Sequence, residues 1–213
     1  MPSLRRFASW VVRKIARPAT LHLGLRREKG AAFYDEVYRE SEAYQKPYDQ
    51  SVYFEVWTAL VERMPSDPAV LDIGCGPGQF AEYLHALGVT RYVGFDFSPT
   101  AIDAARQRVP DYRFEVDDAY TTSLFKDATY DLVVCTEVLE HTRRDLAVLE
   151  RIRPGTRVLA TVPNFWSRGH VRWFHSVAEV RARYSPVLEL DVTSFPLFAD
   201  NEFYVIDGVR RAQ

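Results

Sequence analysis

The 213 residues carry a formal charge of −2, with 47% hydrophobic and 26% charged residues, a balance expected of a soluble globular domain. No stretch approaches the roughly 18 consecutive apolar residues of a bilayer-spanning helix. Two cysteines, Cys75 and Cys135, are too few for a disulfide framework and fit a reducing, cytoplasmic compartment. The length suits one domain with a sizeable core, and no internal repeat or low-complexity tract interrupts it.

Charge is unevenly spread. Residues 1–30 hold eight arginines and lysines against Glu28, a net +7, which leaves −9 on the remainder. Leu4, Phe7, Val11 and Ile15 recur at helical spacing with basic residues between them, until Pro18 interrupts the pattern. Such an arm can pack on the domain or close over it as a lid. It can also lie as a peripheral contact on the anionic inner face of a membrane, or grip RNA phosphates, the weakest of these readings. Its interrupted apolar face argues against a secretory signal. The domain proper is expected over residues 31–213, beginning with an aromatic-rich cover segment, 31–65.

That segment carries Phe33, Tyr34, Tyr38, Tyr44, Tyr48, Tyr53, Phe54 and Trp57. Residues 52–64 are predicted to pack as a helix on a sheet. Pro65 and Pro68 then punctuate the entry to a short apolar strand at 69–73, with Asp72 inside it. Glycine at 74, 76 and 78 strips the following turn of side chains, so backbone can approach a ligand closely. Apolar residues at 80, 81, 84 and 87 predict a helix directly behind it. A second strand, 92–96, ends in Asp96, placed to accept bonds from ribose hydroxyls, while Ser98 is free to cap a helix over 100–108. A third strand at 112–116 runs into Asp117, Asp118 and Ala119, and a fourth ends at Cys135 and Thr136.

The run from Asp72 through Gly74, Cys75, Gly76 and Gly78 resembles the first motif of the class I S-adenosylmethionine-dependent methyltransferases. The resemblance extends over residues 69–209. It implies a Rossmann-like α/β fold with seven strands in the order 3-2-1-4-5-7-6 and an antiparallel last strand. It also implies that the glycine turn wraps S-adenosylmethionine, with Asp72 helping to hold its methionine end and Asp96 its ribose. Asp118 would meet the adenine, with Asp117 and Ala119 beside it, and Phe97 and Thr136 complete the expected cofactor-binding set.

After the fourth strand come Glu137, Glu140 and His141, which share one face if the segment turns helical at once. Two carboxylates and an imidazole packed together call for a cation or a shared proton. They suit Mg²⁺, Mn²⁺ or Fe²⁺, or a histidine base that deprotonates an acceptor. The fifth strand, 157–162, leads to His170, which is expected to face them across the cleft. This E-x-x-E-H segment with a downstream histidine is similar to the ubiquinone-biosynthesis O-methyltransferases. It is equally similar to the small-RNA 3′-terminal 2′-O-methyltransferases, in which equivalent residues hold a divalent metal. The preferred expectation is O-methylation of a small-molecule, glycan or lipid-linked acceptor. An RNA methyltransferase comes second, because the domain itself is acidic, and a cofactor-binding but inactive partner subunit third. Downstream, a helix is predicted over 176–184. Strands at 186–192 and 203–209 are joined by a loop, 193–202, whose Phe195, Pro196, Leu197 and Phe198 either wall an acceptor pocket or bury one another.

Overall fold

The computed structural model describes residues 27–197 and 200–212. The amphipathic pattern of the basic arm lies outside the described residues, and so does Phe198. The first helices are α1 (Ala31–Glu40), α2 (Glu42–Gln45) and α3 (Phe54–Val61), with a single 3₁₀ turn at Tyr48–Gln50. Strand and helix then alternate through β1 (Ala69–Ile73), α4 (Gln79–Ala86), β2 (Arg91–Asp96), α5 (Pro99–Arg108), β3 (Arg113–Val116), α6 (Leu124–Asp127) and β4 (Leu132–Thr136). The chain continues through α7 (Asp145–Glu150), β5 (Arg157–Pro163), α8 (Val177–Tyr184), β6 (Leu188–Pro196) and β7 (Glu202–Arg210).

The seven strands form one sheet in the order β3-β2-β1-β4-β5-β7-β6. The pairs from β3 to β5 are parallel, and β7 runs antiparallel to both β5 and β6. Alternation along each central strand divides the core into two layers. Leu71, Ile73, Val133, Cys135, Val158 and Ala160 pack on one face, and Val70, Leu132, Val134 and Leu159 on the other. A sheet covered on both faces needs apolar side chains at every strand position, and β1 is buried throughout. Asp72 is therefore the anomaly of that strand, a carboxylate 1% exposed in the middle of the sheet.

Local signals set several boundaries. Ser98 accepts from the Ala101 amide at 3.1 Å and caps α5, with Pro99 in its first turn, as the sequence implies. Ser176 caps α8 by accepting from Glu179, whose carboxylate in turn accepts from the His175 amide at 2.8 Å. The closing hairpin differs from expectation. Residues 193–196, predicted as loop, continue β6 and pair with β7, with Phe195 opposite Phe203. Phe195 and Leu197 pack on the core here, so hydrophobic burial extends the strand at the expense of the loop.

Parallel order brings the C-terminal ends of β1, β2, β4 and β5 to one edge, where the residues singled out in the sequence converge. Behind that edge lies a buried clamp. Asp145, with no exposure, accepts two bonds from Arg183 at 3.0 and 2.6 Å and pairs with Arg172 at 3.1 Å. Arg172 also donates to the carbonyls of Leu139, Thr142 and Arg143, tying the turn after β4 to the segment after β5. Asp145→Ala leaves two arginines without their shared anion and is expected to cost about 3 kcal/mol in a urea unfolding titration. A loss below about 1 kcal/mol, the scale of an exposed ion pair, would contradict that role.

Candidate active site

The glycine turn occupies the end of β1. Gly74, Gly76 and Gly78 have φ of +68°, +52° and +78°, so all three need the left-handed backbone that only glycine adopts without strain. A Cβ on Gly78 would lie 3.0 Å from the Cα of Ala105, so the helix α5 also approaches too closely for a side chain. The turn hangs from β2: the amides of Gly74 and Cys75 both donate to the carbonyl of Phe95, at 2.8 and 3.1 Å. Cys75 is buried against it, and burial raises its thiol well above the usual range.

Two carboxylates are sealed beside this turn. Asp72 accepts from the Tyr92 hydroxyl at 2.6 Å through Oδ2, while Oδ1 has no hydrogen-bond partner. Burial raises its pKa to about 7, against the opposing effect of Tyr92. Asp96, 5% exposed, accepts from the amides of Ser98 at 2.9 Å and Gly76 at 3.1 Å. Burial raises it to about 6, partly offset by those two bonds. Two adjacent carboxylates, one with an orphaned oxygen, and a turn without side chains fit a ligand with hydroxyl donors and positive charge. Phe97 packs edge-on to Tyr34 with centroids 5.4 Å apart, and Thr136 ends β4 next to Glu137.

The end of β3 is looser. Asp118 is exposed, and its carboxylate accepts from the Tyr120 amide at 2.8 Å in a local turn. Asp117 is half-buried, accepts from the Asp118 amide at 2.8 Å, and donates its own amide to the carbonyl of Asp96 at 3.0 Å. Ala119 packs against the core.

The segment after β4 is not the helix expected from its sequence. Glu137 has φ +57°, a left-handed conformation that ends regular structure, and helix resumes only at Asp145. The cause is a reciprocal pair with β5. The Glu137 amide donates to the Thr161 hydroxyl at 3.1 Å, and that hydroxyl donates to the Glu137 carboxylate at 3.0 Å. Glu137 is thereby tied to β5 while its carboxyl still meets that of Glu140, and the potential ligand atoms of Glu140, His141 and His170 lie within 4.8 Å of one another. The structure groups these three of the four predicted residues.

Glu140 has no exposure, and neither carboxylate oxygen has a hydrogen-bond partner. Burial raises its pKa to about 8, and burial together with the Glu140 charge raises Glu137 well above the carboxylate range. The backbone around Glu140 is fixed, because its carbonyl accepts from the amides of Val171 at 2.8 Å and Arg172 at 3.2 Å. Nε2 of His141 lies 3.7 Å from the Glu140 carboxylate, and Nε2 of His170 lies 4.0 Å from it. The His170 Nδ1 donates to the Phe165 carbonyl at 3.1 Å, which orients the ring. Burial lowers His141 to about 4, so its imidazole is neutral at physiological pH. Gly169, at φ +107°, lets the chain pass beside His141: a Cβ there would stand 3.3 Å from its Nδ1.

Two residues that sequence reasoning did not single out complete the site. Tyr34 shares a 2.8 Å hydrogen bond with His141 Nδ1, and the Tyr38 hydroxyl would lie 3.4 Å from a Cβ on Gly76. Burial raises both phenols well above their ordinary range. Their i, i+4 spacing marks one face of α1, which lies over the glycine turn, and Asp35 anchors that helix by accepting from the Ser98 hydroxyl at 2.5 Å. Two further tyrosines of the aromatic segment pack on neighbouring rings. Tyr48 stacks on Tyr83, and Tyr53 packs against Trp57 and Phe203.

Residues 70–159 match the family described as "Methyltransferase domain". The chain is 35% identical over 124 residues to the ribosomal protein L11 methyltransferase of Cupriavidus metallidurans, covering 58% of this chain and 38% of that protein. It is 35% identical over 107 residues to the mitochondrial ubiquinone biosynthesis O-methyltransferase of Schizosaccharomyces pombe, covering 46% of this chain and 39% of the relative. The chain thus spans about two fifths of the relatives it matches. Among solved structures, the N-methyltransferase NodS from Bradyrhizobium japonicum, in complex with S-adenosyl-l-homocysteine, superposes with a TM-score of 0.66 at 20% identity, covering 86% of this chain and all of that one. The sheet order and these likenesses identify the class I methyltransferase fold.

The buried carboxylates give this site a measurable pH signature. A carboxylate whose folded pKa lies above its unfolded value stabilises the protein at low pH, and that stabilisation is lost as pH rises through the folded value. For Asp72 the window runs from its ordinary 3.8 to about 7. His141, lowered from 6.5 to about 4, contributes the opposite slope. Unfolding free energies measured between pH 4.5 and 7 are expected to decline less steeply in Asp72→Asn than in the parent, by about 1.4 kcal/mol per pH unit. Equal slopes in the two proteins would show that Asp72 titrates normally.

Proposed function

We propose that this chain, whose residues 70–159 form a methyltransferase domain, transfers a methyl group from S-adenosylmethionine to an oxygen of a small-molecule, glycan or lipid-linked acceptor. The observation that carries the reading is the buried Glu140, His141 and His170 cluster, placed at the same sheet edge as the glycine turn, Asp72 and Asp96. The bound donor supplies an activated methyl carbon. Asp96 would hold its ribose, with Phe97 beside it. Asp72 and the backbone of Gly74, Cys75, Gly76 and Gly78 would hold its amino-acid end, and Thr136 would border it. Asp117, Asp118 and Ala119 would frame the adenine, with Asp118 the weaker partner because it serves a local turn.

On the acceptor side His141 is the proposed base. It is neutral at physiological pH, its Nδ1 is fixed by Tyr34, and its Nε2 faces Glu140, whose raised pKa suits it to share a proton. Glu137, held protonated by burial and by the Glu140 charge, would share its proton with the Glu140 carboxylate. The same three side chains are candidates to hold a divalent cation such as Mg²⁺, Mn²⁺ or Fe²⁺, because a carboxylate and two imidazoles bring their potential ligand atoms within 4.8 Å of one another. A cation held there would add Lewis acidity at the acceptor oxygen.

The test is transfer of isotopically labelled methyl groups into the products formed in a cell extract, resolved by mass spectrometry. His141→Ala is expected to reduce label in the product by about a hundredfold or more while retaining donor binding. Undiminished labelling would remove His141 from the chemistry. Absence of labelled products with donor uptake intact would favour the inactive-partner reading.

A further inference from the structure

Beyond the reaction itself, the rim of the site speaks to the charge of the acceptor. The His141 side chain retains 23% exposure, which makes it the solvent-facing end of the cluster. Arg168, immediately before Gly169, holds its guanidinium 5.0 Å from the centroid of Phe33. Lys29 places its ammonium 5.5 Å from the same ring. Phe33 stands edge-on to Tyr34 at 5.1 Å, and Tyr34 bonds His141, so the two cations gather two rings away from the proposed base.

Both residues are exposed, and neither enters an ion pair among the described residues. One ring face attracts one cation by about 0.5–1 kcal/mol at an exposed site, which gives no reason for a second cation to join it. On the turn after β4, Arg143 and Arg144 are also exposed, and Arg144 lies 4.3 Å over Tyr120. Glu28, the residue before Lys29, is engaged by the Tyr120 hydroxyl and the Arg143 amide. Residues from 31 onward sum to −9, so Arg143, Arg144 and Arg168 run against the balance of the domain that carries them.

We propose that the acceptor is a small anion whose carboxylate or phosphate docks on Arg168 and Lys29 while its accepting atom reaches His141. This rests on the reading of His141 as the acceptor side of the site. Polymeric RNA is disfavoured, because residues from 31 onward sum to −9 and a nucleic-acid track needs a basic face in the domain itself.

The probe is inorganic pyrophosphate, titrated calorimetrically into the full chain at low ionic strength with S-adenosylhomocysteine present. Saturable uptake is expected, weakened about tenfold or more by Arg168→Glu and by Lys29→Glu. Arg113→Glu, which alters an exposed residue at the N-terminal end of β3, is expected to leave uptake unchanged. Absence of uptake, or indifference to the Arg168 and Lys29 substitutions, overturns the proposal. Binding of an oligoribonucleotide far tighter than pyrophosphate, with affinity falling over several phosphates' worth of salt dependence, overturns it in favour of nucleic acid. S-adenosylhomocysteine affinity, measured on each variant, separates the two levels: its loss in the parent protein counts against the methyltransferase reading, whereas indifference to pyrophosphate with the nucleoside bound counts against the anionic acceptor alone.

Discussion

Uncompensated negative charge, buried at one edge of the sheet, is the constraint on which the architecture depends. Asp72, Asp96 and Glu140 are each at most 5% exposed, and none is ion-paired to an arginine or lysine among the described residues. Removing a carboxylate from water is costly unless it is protonated, hydrogen-bonded or paired. The domain makes limited provision for these three: the Tyr92 hydroxyl for Asp72, two amides for Asp96, and two imidazoles near Glu140. Their raised pKa values are the residue of that incomplete compensation, and groups so perturbed at a cleft are functional candidates.

The surrounding structure keeps the arrangement from relaxing. The glycine turn is suspended from Phe95, the Glu140 backbone is tied to 171 and 172, and Arg172 joins that turn to Asp145. The left-handed Glu137 is the strained point, held by its reciprocal bonds with Thr161. Helix α1 closes the other side through Tyr34, Asp35 and Tyr38, so the cover over the glycine turn also reaches His141. The glycine turn and the Glu140, His141 and His170 cluster are thereby mechanically linked.

Much of this was legible in the sequence for a physical reason. Strands buried on both faces appear as unbroken apolar runs, and a carboxylate or a series of alternate glycines stands out against them. The cap at Ser98 and the strand-end position of Asp96 followed from local chemistry. The turn after β4 was not legible, because its conformation is set by Thr161, 24 residues away, rather than by its own helical spacing. The roles of Tyr34 and Tyr38 depend on where α1 docks, which no local pattern encodes. Likewise, Thr193 to Pro196 read as loop until their pairing with β7 supplied the missing hydrogen bonds.

A ligand bearing a positive centre and hydroxyl donors is the natural counterpart of these carboxylates, and its arrival should drive them toward ionisation. Calorimetric titration of the chain with S-adenosylmethionine near pH 7, repeated in buffers of different ionisation enthalpy, measures binding and proton release together. The account predicts uptake of one equivalent accompanied by release of protons to the buffer. Folded protein that takes up no donor would contradict it.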